Sequence, residues 1–151
     1  MFLKEINLLN FNTNNVKNME AMFFGCSSLK EINLSSFDTS NVIDMGGMFS
    51  ECSSLKEINL SSFNTSNVKN MSEMFKNSVF SGDIGQWNVS FVKKMSGMFM
   101  SSVFNGDISR WDVSNVEEMY GMFENSQFMG DISQWNVSNV YVMSRMFCKY
   151  D

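Results

Sequence analysis

The chain has 151 residues, one domain's worth on the usual length prior. Eleven Lys and Arg face sixteen Asp and Glu, a net charge of −5, and there is no histidine. That balance argues against a nucleic-acid partner and removes histidine-dependent triads and metal sites. Fifteen methionines, fifteen phenylalanines and no proline, with 44% hydrophobic and 14% aromatic residues, describe a folded chain. No run approaches the roughly 18 apolar residues of a membrane helix, so membrane insertion is not expected. The N-terminal residues show no export signal.

In chain order, one pattern repeats six times. Met-Phe recurs at Met22-Phe23, Met48-Phe49, Met74-Phe75, Met98-Phe99, Met122-Phe123 and Met146-Phe147, in steps of 26, 26, 24, 24 and 24 residues. A methionine stands three residues before each pair (Met19, Met45, Met71, Met95, Met119, Met143), and a valine three before that (Val16 to Val140). An aromatic precedes each valine by five: Phe11, Phe37, Phe63, Trp87, Trp111, Trp135. The chain therefore reads as one repeat domain over 1–151, a segment of a longer array.

Each copy carries two elements. Leu29-x-x-Ile32-x-Leu34, repeated at Leu55, Ile58 and Leu60, is a leucine-rich-repeat strand signature, with Asn33 and Asn59 pointing outward. Val68, Met71, Met74 and Phe75 fall on one face of a short helix, and a preceding Ser or Asn stands as its N-cap. Ser114-x-x-Glu117 fits a capping box. These patterns predict an α/β repeat: a right-handed solenoid of about six 24–26-residue turns, with one parallel sheet plus short helices.

Two sub-types appear. The first half reads Cys-Ser-Ser-Leu-Lys-Glu-Ile-Asn-Leu from Cys26 and Cys52; the second reads Gly-Asp-Ile-x-x-Trp from Gly82, Gly106 and Gly130. The repeat Gly-Asp-Ile-Ser-x-Trp-x-Val-Ser-Asn-Val-x-x-Met-x-x-Met-Phe, at Gly106 to Phe123 and Gly130 to Phe147, resembles the BspA-like leucine-rich-repeat surface proteins. That resemblance implies a secreted or cell-surface location and a role in adhesion and protein binding.

The candidate ligand-binding residues lie on the outward face of the strands. They are Asn33, Asn59, Asp83, Asp107 and Asp131, with Ser109 and Arg110 beside them. A merely solvated face is the plainer account; a face for a protein or glycan ligand is the sharper one. Asp83, Asp107 and Asp131 stack like charges at a strand spacing of about 4.8 Å. Local hydrogen bonds or Arg110 would offset that, and a cation held by the three is the alternative. The Met and Phe stripes and the aromatic column read as core. Cys26 and Cys52 share one column, where buried thiols are expected ahead of a disulfide. No cofactor and no catalysis are expected, because nothing sets two carboxylates across a cleft. Head-to-tail self-association is the alternative to ligand binding.

Overall fold

The computed structural model describes residues 3–150. The six repeats lie on one another in chain order, joined by parallel bridges from Asn18 to Asp44, Asn70, Lys94, Glu118 and Val142 in succession. Each repeat is thus one coil of a stack, and the coils are numbered 1 to 6 here. Among the described residues the regular strands are only β1 (Glu31–Ile32) and β2 (Glu57–Ile58), paired in parallel with Glu31 opposite Glu57. The expected sheet along the whole stack is therefore confined to coils 2 and 3. No helix forms among the described residues, so the expected Val-x-x-Met-x-x-Met-Phe helices are corrected to turns.

The reason lies in the backbone between the methionines. Ala21, Gly47, Glu73, Gly97, Gly121 and Arg145 all have φ between 54° and 62°, or 63° at Gly97. Four residues further on, Gly25, Glu51, Asn77, Ser101 and Asn125 are also left-handed. A right-handed helix cannot hold such a residue at every fourth position.

The backbone still satisfies itself, by another route. In coil 2 the N–H groups of Met45, Gly47, Phe49 and Glu51 donate to the carbonyls of Asn70, Ser72, Met74 and Lys76 in coil 3, at 2.8 to 3.0 Å. Those of Met48, Ser50 and Cys52 close turns onto Met45, Gly47 and Phe49, and Gly46 donates to Asp44 Oδ1. Every donor from Met45 to Cys52 is thereby used. An isolated helix of this length is marginal, whereas alternate peptide groups here bond to the neighbouring coil. The apolar spacing does not distinguish the two forms, since Val68, Met71, Met74 and Phe75 are fully buried in the turn as well. Ser114 does not cap a helix: its N–H donates to Asp112 Oδ1 and its carbonyl accepts from Asn139 Nδ2.

Stacked side chains fill the centre. Phe23, Phe49, Phe75, Phe99, Phe123 and Phe147 form a continuous column with ring centroids 5.6 to 5.9 Å apart. A second column, Phe80, Phe104 and Phe128, runs beside it in coils 4 to 6, each ring 4.3 to 4.4 Å from its partner in the first. Burying one such ring stabilises by about 1.5–3 kcal/mol, and a stacked pair adds about 0.5–1.5 kcal/mol. Gly82, Gly106 and Gly130 make room for the second column: a Cβ on any of them would lie 2.6 to 2.8 Å from the phenylalanine ring two residues earlier. The glycine of Gly-Asp-Ile is thus a packing requirement. The aromatic column from Phe37 to Trp135 is buried as expected, while Phe11 in coil 1 is half exposed.

Candidate binding face

The outward polar row of the strands turns first to its own backbone. Asn7, Asn33 and Asn59 accept the N–H two residues on, from Leu9, Ser35 and Ser61, at 2.9 to 3.1 Å. Asp83, Asp107 and Asp131 do the same for Gly85, Ser109 and Ser133, at 2.8 to 3.0 Å. Asn and Asp are interchangeable here because either supplies the one acceptor that the turn needs. Two further rows repeat the device, as in Asp38 to the Ser40 N–H and Asn70 to the Ser72 N–H.

At Asp107 and Asp131 these bonds favour the charged carboxylate. The Ser109 N–H, and then its hydroxyl, hold the Asp107 carboxyl below its ordinary range, and Arg110 adds a weaker pull. Ser133 lowers Asp131 in the same way against desolvation and the repulsion of Asp107. The offset to the like-charge ladder is therefore local. No group of three His, Cys, Asp or Glu side chains among the described residues is placed to hold a metal ion, Asp83, Asp107 and Asp131 included.

A concavity lies away from those residues, over coils 1 to 3. A groove of about 1020 Å³ is lined by three successive rungs of Glu5-Ile6-Asn7, Glu31-Ile32-Asn33 and Glu57-Ile58-Asn59, with Ser35, Ser61 and Ser62 at one side. Asn33 and Asn59 line it, as the sequence pattern places them. Asp83, Asp107, Asp131, Ser109 and Arg110 lie outside it. The missed residues are the glutamates, and their signal was present: Lys-Glu-Ile-Asn-Leu occurs three times, and strand alternation puts Glu on the same face as Asn. Each glutamate follows an exposed lysine (Lys4, Lys30, Lys56), so the rim carries both signs of charge.

The cysteines stand apart from this face. Cys26, Cys52 and Cys148 are free thiols, and Cys52 Sγ donates to the Phe23 carbonyl at 3.0 Å. Burial, with Cys26 nearby, pushes the Cys52 thiol up to about 12. Such a thiol carries almost no thiolate at neutral pH and is a poor nucleophile.

Six stacked coils with a shared aromatic core define a repeat protein. The model of the family DUF285, described as a Mycoplasma protein of unknown function, matches residues 1–102 and again 76–151, and the chain belongs to that family. The two overlapping matches follow from the repetition itself. No curated protein and no solved structure matches the chain. No helix among the described residues is long and apolar enough to cross a membrane.

Proposed function

We propose that the protein is a non-catalytic binding module that takes a protein or glycan ligand along the groove of coils 1 to 3. In this reading the stack is a right-handed, leucine-rich-repeat-like solenoid of the BspA-like kind, displayed at the cell surface or secreted. The supporting observation is the groove, where three successive Glu-Ile-Asn rungs present Glu and Asn beside the isoleucines, with serines alongside the second and third. Repeat proteins bind along such faces because one contact is multiplied by the number of rungs. Probing protein and glycan arrays with the labelled chain tests this reading. Ser35→Arg and Ser61→Arg together should abolish the recovered binding, because both side chains are exposed at the groove and make no structural bond of their own. Binding that is indifferent to the pair would refute the groove as the site.

One observation favours a second reading, end-to-end assembly. In the Met-x-x-Met-Phe segments the coil-to-coil N–H donors point toward the next coil, and in coil 6 those of Met143, Arg145 and Phe147 have no acceptor among the described residues. Phe147 is exposed above the ring of Phe123. Another coil of the same kind fits there, from a second copy or from further chain. Concentration-dependent light scattering that is suppressed by Phe147→Glu supports assembly between copies.

A further inference from the structure

We propose that Asn105 is a self-modification site, at which the folded chain converts a side-chain amide to an acid through attack by the Gly106 nitrogen. Several features meet at this one residue. Asn105 is exposed, and the residue after it is glycine, so no side chain shields the attacking nitrogen. The Gly106 N–H has no acceptor among the described residues, whereas most N–H groups of the stack are held. Asn105 Oδ1 accepts the Met129 N–H of the next coil at 2.8 Å. A donor is thereby already aimed at the oxygen on which negative charge develops during attack, the arrangement that stabilises a tetrahedral intermediate. The Asn105 Nδ2 makes no hydrogen bond among the described residues and is free to leave.

The step balances without an oxidant or cofactor. The Gly106 nitrogen loses its proton to hydroxide and bonds to Asn105 Cγ. The Cγ–Nδ2 bond breaks, and that nitrogen departs as ammonia after protonation by water, leaving a cyclic imide. Water then opens the imide at either carbonyl, giving aspartate or an isoaspartyl link.

Other asparagines lack the combination. Asn77 Nδ2 donates to Glu51 Oε1 at 2.5 Å, which holds the leaving group. Asn125 Oδ1 also accepts a backbone N–H, from Tyr150, but the Ser126 nitrogen is occupied by the Phe123 carbonyl. The asparagines of the Asx turns are followed by Leu, Thr, Met or Val, whose side chains crowd the nitrogen. Conversion takes the net charge from −5 to −6, and the new carboxylate stands two residues before Asp107. The isoaspartyl form adds a main-chain carbon between Phe104 and Ile108, two buried side chains of coil 5.

The test is to hold the folded chain in mildly alkaline buffer and follow it by isoelectric focusing, intact mass and peptide mapping, beside a denatured sample. The expected result is one acidic species with the amide-to-acid mass gain at Asn105. Asn105→Gln should lack it, keeping an acceptor for Met129 while closing the ring poorly. Should that variant fail to fold, mapping of the parent chain decides alone. The proposal is overturned if the folded chain stays intact at Asn105 while the denatured chain is modified there, or if Asn77 or Asn125 reacts first.

Discussion

The Trp111 indole N–H donates to the Ile84 carbonyl of the preceding coil at 3.2 Å, and Trp135 repeats the contact with Ile108. Trp87, the first tryptophan of the column, has no acceptor for its buried Nε1 among the described residues. It sits where the repeat shortens from 26 to 24 residues, beneath Phe63 rather than another tryptophan. An unsatisfied buried donor costs about 1–3 kcal/mol, whereas a made bond is worth about 0.5–1.5 kcal/mol net.

Replacing either tryptophan by phenylalanine therefore has unequal consequences. Trp111→Phe loses both area and a bond. Trp87→Phe loses similar area but relieves an orphaned donor. Denaturant unfolding should place Trp87→Phe at least about 1 kcal/mol above Trp111→Phe in stability. Equal losses would mean that the joint between the two repeat types carries no such defect.

Acid should weaken the fold through the Asx turns. Asp38, Asp107, Asp112 and Asp131 are each lowered by bonds from the serine two residues on. A carboxyl lowered in the folded state binds fewer protons there than in the unfolded chain, so its contribution is fully present above the ordinary aspartate range. It is lost as pH falls through the lower folded values. Melting temperature should drop across that window, and changing all four to Asn should flatten the drop, because Asn7, Asn33 and Asn59 already make the same bond uncharged. An unchanged slope in the quadruple variant would assign the acid sensitivity to other groups.

Thiol labelling separates the cysteines. With its thiol raised to about 12 and its side chain buried, Cys52 should resist an alkylating reagent at neutral pH in the folded chain. Cys148, partly exposed, should react first. Peptide mapping after brief labelling gives the order, and prompt modification of Cys52 would contradict the packed column.

Much of this was legible in the residues, and the omissions have physical causes. The order of the coils, the burial of Val, Met and Phe and the aromatic column follow from spacing alone, because identical units can bury their apolar faces only by stacking. The helices were misread because Val, Met, Met and Phe at i, i+3, i+6 and i+7 point inward from a run of tight turns as well as from a helix. The discriminating signal was the residue between the methionines, which is glycine at Gly47, Gly97 and Gly121 but Ala, Glu or Arg at the other three positions. Phe80, Phe104 and Phe128 were passed over because they belong only to the shorter repeats, in which they build the second ring column. Of the outward polar row, Asn33 and Asn59 line the groove of coils 1 to 3. Asp83, Asp107 and Asp131 belong to the same outward row, and the strand alternation alone does not show that this groove spans only coils 1 to 3.

The central structural claim is that the Val-to-Phe segments are left-handed turns bonded from coil to coil, and Gly47→Ala tests it most directly. Gly47 has φ +61°, and an added Cβ would meet nothing closer than Ser50 Cβ at 4.0 Å. The substitution therefore reports backbone preference with little steric interference. In a turn that needs positive φ, alanine should cost about 1–2 kcal/mol of unfolding free energy. In a helix the same change would stabilise by about 0.5–1 kcal/mol. Equilibrium denaturation of the parent and the variant gives the sign: a loss is the result predicted here, and a gain would contradict the fold.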